Sequence, residues 1–129
     1  MNFHYKRIGG RYRPIIAIEL QYKTKTIRQE VLIDSGADLC IFRGEIGELL
    51  GLKVKNGENV EFGGIAGEPK VGYLHRVGLT VGGVTHTVRA MFSYDVSDYG
   101  YGIVGQAGFF ENFAVKFDYR KRSIVLRAK

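Results

Sequence analysis

Apolar and polar residues alternate along most of this chain, in short segments separated by glycine-containing or charged turns. Alternation with a period of two indicates a strand with one buried face, and a short apolar run bounded by turn residues indicates a buried strand. The Gly82-Gly83 pair is a strong signal for a two-residue hairpin turn. We therefore predict strands over residues 14–22, 26–34, 59–62, 70–81, 84–94, 103–105, 113–119 and 123–128.

Two short segments have a helical pattern instead. Residues 43–52 place Ile46, Leu49 and Leu50 on one face, and Gly51 is suited to end that helix. Residues 106–112 follow a glycine and contain two adjacent phenylalanines. With 18 glycines, 2 prolines and many β-branched residues, the chain predicts an all-β fold with two short helices. Its 129 residues suit a single domain, 1–129.

Composition narrows the classes of function. The net charge of +6 is compatible with an acidic partner, but the basic residues are scattered. The densest run, Arg120-Lys121-Arg122, lies between two predicted strands and is most simply a solvated hairpin turn. A nucleic-acid-binding β-barrel therefore stays open only as a minor alternative. No apolar run is long enough for a membrane span, and we expect no signal peptide and no membrane partner.

The single cysteine, Cys40, excludes an internal disulfide and suits a reducing compartment, so we expect a cytoplasmic location. It lies in an apolar run, where a buried small hydrophobe is the simpler interpretation than a reactive thiol. The histidines, His4, His75 and His86, share no metal-ligand spacing with it or with each other. We predict neither a metal nor a cofactor.

The candidate for chemistry is the carboxylate of Asp34, which follows the apolar run Val31-Leu32-Ile33 and precedes Ser35-Gly36. A carboxylate at the tip of a buried strand is costly unless it is hydrogen-bonded or used. By itself, however, Asp-Ser-Gly is an ordinary turn sequence. Whether Asp34 is a functional carboxylate or part of an ordinary turn therefore depends on the patterns in the rest of the chain.

Two glycine-containing stretches bear on that decision. The first is a predicted hairpin tip. A dinucleotide-binding loop would be followed by a helix, and Pro69 disfavours a helix here, so this stretch does not fit such a loop. Such a tip is either a mobile lid or a plain exposed hairpin. It consists of Gly63, Gly64, Ile65, Ala66 and Gly67. The second stretch, Ile103-Val104-Gly105, is a buried strand that ends in glycine, which predicts close approach of another backbone.

Taken together and in this order, these pieces resemble the retropepsins, the single-domain aspartic proteases of retroviruses, and their bacterial relatives. The resemblance covers roughly residues 14–126, and residues 108–118 are similar to the bacterial branch. It implies a closed β-barrel-like acid-protease fold and an active site formed between the two chains of a C2 homodimer. This sequence contains one Asp-Ser-Gly and no second Asp-Thr/Ser-Gly, so a catalytic pair requires a second copy.

The resemblance also implies roles for single residues. Asp34 would be catalytic, and Ser35, Gly36, Ala37 and Asp38 would support the active-site loop. The glycine-rich tip, Gly63 to Gly67, would be the flap that closes over an extended peptide. Packing near the loop would come from Ile103, Val104, Gly105 and Gln106. Pockets near Ala37, Ile65, Ala66 and Val104 would favour apolar side chains.

One position departs from the family pattern. The residue after Gly105 is usually arginine, which pairs with the acid at the position of Asp38; here it is Gln106. Glutamine could hydrogen-bond Asp38 but cannot neutralise it. The predicted function is therefore an aspartic endopeptidase in which two Asp34 carboxylates activate a water. The main alternative is a catalytically silent, protease-like domain for peptide binding or dimerisation.

Overall fold

Strands make up most of the part of the chain that the computed structural model describes, residues 1–63, 67–96 and 101–129. Within Ile15–Tyr22, the residues from Ile16 to Gln21 alternate between buried and more accessible positions, as a strand with one buried face requires. The strands are β1 (Asn2–His4), β2 (Lys6–Ile8), β3 (Arg11–Arg13), β4 (Ile15–Tyr22), β5 (Lys25–Ile33), β6 (Cys40–Arg43), β7 (Glu58–Phe62), β8 (Lys70–Val81), β9 (Val84–Ser93), β10 (Gly102–Val104), β11 (Phe113–Asp118) and β12 (Ser123–Ala128).

Six of the described strands close into a barrel in the order β4-β5-β10-β6-β9-β8. Closure comes from antiparallel pairing of β8 with β4, in which Leu79 lies opposite Leu20. Two of the pairs are parallel, β10 with β5 and β6 with β9. Because closure leaves no free edge, the barrel limits unwanted pairing with other chains. Strand β7 continues the sheet beyond β8, outside the closed ring.

The barrel surrounds an apolar core to which all six of its strands contribute buried residues. At most 1 % of the residue is exposed to solvent at five large core positions, Leu20, Val31, Phe42, Leu79 and Phe92. Phe42 and Phe92 lie with ring centroids 5.7 Å apart, within the range of favourable aromatic contacts. Four of these residues are apolar positions of predicted strands, whereas Phe42 lies in β6, a strand that was not predicted from the sequence. The predicted all-β barrel is confirmed.

The two predicted short helices are present. Helix α1 runs from Gly44 to Leu49, and the second is an irregular helical turn at Gln106–Phe110. The turn is irregular because Ala107 and Gly108 inside it have non-helical backbone angles, with φ of 98° at Gly108, and it ends at Phe110 rather than at the predicted residue 112. A further single turn of 3-10 helix lies at Val54–Asn56. Among the described residues, no helix is both long and apolar enough to cross a membrane.

The N-terminal strands were not predicted from the sequence. Strand β1 pairs with β12, which also pairs with β11, so the two ends of the described chain share one three-stranded sheet. Strands β2 and β3 form a separate hairpin around Gly9 and Gly10. The predicted basic turn between β11 and β12 is confirmed, and Arg120 and Lys121 are exposed in it.

Candidate active site

The carboxylate of Asp34 lies at the end of β5, immediately after the buried Ile33. Strand β5 is anchored by Val31 and Ile33, whose side chains point into the barrel and are at most 4 % exposed. The Asp34 backbone N–H donates to the carbonyl of Val104 at 3.0 Å, which ties the residue to β10. Asp34 itself is half-buried. The core thus holds the backbone of this residue while leaving its side chain within reach of solvent.

The turn after Asp34 fixes the direction of its side chain. The backbone N–H of Gly36 donates to Asp34 Oδ1 at 2.9 Å, and the N–H of Ala37 donates to the Asp34 carbonyl at 3.2 Å. A Cβ on Gly36 would lie 3.2 Å from the same carboxylate oxygen, closer than ordinary contact. Glycine therefore lets the amide approach the carboxylate closely. This is local turn chemistry that also orients an acidic group.

Strand β10 packs directly against this turn. Its parallel register places Val104 opposite Ile33, and its antiparallel register with β6 places Ile103 opposite Ile41. A Cβ on Gly105 would lie 2.4 Å from the carbonyl oxygen of Ala37 and 2.6 Å from that of Leu39. Contacts of that length do not occur, so only glycine admits this approach. The close backbone approach predicted at Gly105 is confirmed.

Two backbone hydrogen bonds continue the contact beyond Gly105. The N–H of Gln106 donates to the Ala37 carbonyl at 2.8 Å, and the N–H of Ala107 donates to the Asp38 carbonyl at 2.9 Å. The side chain of Gln106 donates from Nε2 to the carbonyl of Ser35 at 2.7 Å. The suggested bond from Gln106 to Asp38 is not among the bonds of the described residues. The glutamine instead braces the turn backbone, which its neutral amide does without a charge partner.

The predicted flap is formed by β7 and β8, which pair antiparallel as far as Phe62 opposite Lys70. Gly63 and Gly67 are exposed at the ends of the connection. Gly64, Ile65 and Ala66, which the sequence assigned to the tip, lie outside the described residues. The two strands thus lead toward and away from the predicted flap tip.

Two residues that contact β8 near the tip end of this hairpin, Ser93 and Asp95, were not identified from the sequence. Ser93 Oγ donates to the carbonyl of Val71 at 2.5 Å, and the N–H of Val71 donates to Asp95 Oδ2 at 2.9 Å. The N–H of Asp95 also donates to Ser93 Oγ at 3.1 Å. Regular pairing of β8 with β9 begins only at Tyr73, so these side chains extend the contacts to Val71, one residue from the end of the described pairing with β7. Serine and aspartate at a strand end are the signal that could have indicated them.

The single cysteine lies behind the loop rather than in the candidate site. Cys40 is fully buried, and its Sγ contacts the Ala107 carbonyl at 3.5 Å. Burial raises the pKa of the thiol to about 11. It is therefore a neutral packing group at physiological pH, as the sequence indicated. Among the described residues, no cluster of three or more His, Cys, Asp or Glu side chains could hold a metal ion.

Comparison with solved structures identifies the barrel as a retropepsin-like fold. A crystal structure of a retropepsin-like aspartic protease from Rickettsia conorii matches with a TM-score of 0.72 and 15 % identity, covering 98 % of this chain and 89 % of that one. The EIAV protease complexed with the inhibitor HBY-793 matches with a TM-score of 0.52 and 17 % identity, covering 78 % and 88 %. No family model and no curated protein sequence matches the chain. At these identities, the matches establish a shared fold.

Proposed function

We propose that this protein is an aspartic endopeptidase whose active site forms between two copies of the chain. The observation that carries the proposal is the placement of Asp34 on a retropepsin-like barrel: its backbone is held by Val104, and its carboxylate is oriented by the Gly36 N–H. A turn needs no such support from a second strand. A catalytic carboxylate does need its position fixed in this way, because a small displacement of a reacting group lowers the reaction rate by a large factor.

The chemistry requires a partner carboxylate. Hydrolysis of a peptide bond by an acidic pair needs one ionised group to deprotonate water and one protonated group to polarise the carbonyl. The sequence has one Asp-Ser-Gly, so the second carboxylate is the Asp34 of another copy, related by a two-fold axis. Ser35, Gly36 and Asp38 are exposed in the single chain, which leaves the turn accessible to such a partner.

The neighbouring elements supply the remaining functions. The hydroxyl of Ser35 would brace the two turns across the axis, and the Gln106 amide supports the Ser35 backbone from behind. The hairpin of β7 and β8 would cover an extended peptide and add main-chain hydrogen bonds to it, in the manner of strand addition. We also propose a cytoplasmic location, supported by the lone buried thiol of Cys40. Recovery of the protein solely from an oxidising compartment would contradict that location.

The test is cleavage of a peptide library by Asp34→Asn. Loss of the ionisable group should lower kcat by at least about 100-fold, the lower end of general acid–base contributions. The matched control is Asp118→Asn, the same chemical change in β11, where the carboxylate accepts a bond from the Lys121 N–H. Circular dichroism should show both variants folded. Full activity of Asp34→Asn would refute the assignment.

A second measurement separates the enzyme from the silent alternative. Specific activity should fall on dilution as the dimer dissociates, because neither chain alone holds two catalytic carboxylates. Activity independent of concentration would indicate a competent monomer. A proton-sharing pair should be active between about pH 4 and pH 7. A dimer that binds peptides in that range but cleaves none would support the alternative, a catalytically silent peptide-binding domain.

A further inference from the structure

The hairpin of β2 and β3 presents two faces of different chemistry. Its register places Lys6 opposite Arg13 and Ile8 opposite Arg11, so these four side chains share one face. Arg7 and Tyr12 are paired on the other face. The hairpin contains no acidic residue that could neutralise its cations internally.

The second face of the hairpin contacts other residues of the chain, and so does one cation of the first face, Lys6. The guanidinium of Arg122 lies 4.1 Å from the centroid of the Tyr12 ring, and that of Arg7 lies 5.9 Å from it. On the first face, Lys6 Nζ is 2.6 Å from a carboxylate oxygen of Glu30. Within the described residues, Arg11 and Arg13 form no ion pair.

These two arginines line a cavity of about 520 Å³, together with Ile8, Gly9 and Tyr101. That volume is within the range of sites for small ligands or for a side chain and its neighbours, roughly 300–1,000 Å³. The lining combines two guanidinium groups with an aliphatic and an aromatic side chain. It therefore offers both charge and apolar contact.

Two residues that line the cavity, Arg13 and Tyr101, are adjacent in the chain to segments that hold the Asp34 turn. Arg13 directly precedes Pro14, whose carbonyl accepts the N–H of Ile33, the residue before Asp34. Tyr101 directly precedes β10, whose Val104 accepts the N–H of Asp34. Both walls thus belong to segments that hold the Asp34 turn. A group bound there would lie next to the segments that hold the Asp34 turn.

We propose that this cavity is a substrate subsite for an acidic side chain, aspartate or glutamate, in the peptide that the protein cleaves. This rests on the proposed function. Guanidinium groups bind carboxylates through paired, charge-assisted hydrogen bonds, and Arg11 and Arg13 supply two such groups. Ile8 and Tyr101 would pack on the aliphatic part of the side chain. The apolar preference expected near Ala37 and Val104 then applies to other positions of the peptide.

A nucleic acid is the less favoured occupant. A polyanion is bound along a track of cations, whereas here Lys6 is paired with Glu30 and Arg7 and Arg122 lie over Tyr12. The two remaining arginines share a single cavity. This arrangement suits one carboxylate side chain.

The test compares two peptides that differ only by glutamate or glutamine at one position, and the comparison is repeated at each position of one parent peptide. The wild-type ratio of kcat/KM should favour the glutamate peptide by about tenfold, as one charge-assisted hydrogen bond predicts. Arg11→Gln and Arg13→Gln should each reduce that ratio. Arg76→Gln, the same charge change at an exposed position of β8, should leave the ratio as it is in the wild type.

The outcomes separate the subsite from the catalytic assignment. If the wild type cleaves both peptides equally at every position, the subsite is overturned and the endopeptidase stays in place. If no peptide is cleaved, the proposed function is wrong. Fluorescence anisotropy of the same labelled peptides then measures whether the cavity binds the acidic side chain. Tighter binding of the glutamate peptide that Arg11→Gln abolishes then supports the subsite. Equal binding of the peptides, with steeply salt-dependent binding of an oligonucleotide, overturns it in favour of a nucleic acid.

Discussion

Replacing Gly105 by alanine should separate β10 from the Asp34 turn. The added Cβ would lie 2.4 Å from the Ala37 carbonyl oxygen, about 1 Å inside the 3.4 Å at which ordinary contact begins. The second contact, 2.6 Å to the Leu39 carbonyl oxygen, is also with backbone. No side-chain rotation can relieve either one, so the strand or the turn must move.

The structure sets the size of the effect. Overpacking of this kind costs about 1–3 kcal/mol. A movement of about 1 Å would also stretch the bond from the Gln106 N–H to the Ala37 carbonyl, now 2.8 Å, beyond hydrogen-bond range. Losing that bond adds about 1 kcal/mol, for a total destabilisation of about 2–4 kcal/mol. The rate of cleavage should fall by about 100-fold, since 1 Å of misplacement can cost that much.

The assay is urea unfolding at one fixed protein concentration, with peptide cleavage measured on the same samples. Gly78→Ala is the matched control, because its nearest contact would be with Gln21 Cβ at 3.3 Å, only about 0.1 Å inside ordinary contact. That control should stay within about 1 kcal/mol of the wild type. Equal stability and activity of Gly105→Ala and Gly78→Ala would refute the inference that this glycine sets the position of the catalytic turn.

Three further predictions concern proton binding and the flap. Two Asp34 carboxylates that share a proton bind more protons together than apart, so the dimer should weaken as pH rises; sedimentation showing a tighter dimer at pH 8 than at pH 5 would contradict this. Because burial raises the pKa of Cys40 from 9.0 to about 11, the folded state should lose up to about 3 kcal/mol of stability between those values. Cys40→Ala should not show that loss in alkaline urea titrations, and identical pH profiles would count against it. Asp95→Ala should speed hydrogen exchange of the Val71 amide by about tenfold, whereas Asp95→Asn, which keeps an acceptor oxygen, should not. Unchanged exchange in Asp95→Ala would contradict the role of Asp95 in holding β8.

Much of the barrel could be predicted because its strands have long, clear patterns. Strands β4, β5, β8 and β9 are eight or more residues long, and the Gly82-Gly83 turn fixes one of their pairings. Strands β1 to β3 have three residues each and little apolar character. They are held by pairing with β12 and by rings such as Tyr12, and such distant contacts leave no local pattern.

The candidate site was predictable in its parts but not in its contacts. Asp34 and Gly105 could be identified because a carboxylate after an apolar run and a glycine ending a strand both need an explanation. The direction of the Gln106 side chain could not, since an amide bonds equally well to a carboxylate or to a carbonyl. Its choice of Ser35 follows from where β10 meets the turn. The Arg11 and Arg13 cavity likewise depends on a hairpin that the sequence did not indicate.

The measurement that most directly tests a shared active site is a crystal structure of the wild-type protein at acidic pH. The account predicts a two-fold homodimer in which the Asp34 carboxylates of the two chains approach to about 3 Å or less, the distance of a shared hydrogen bond. A monomer, or a dimer that keeps the two Asp34 side chains apart, would contradict it.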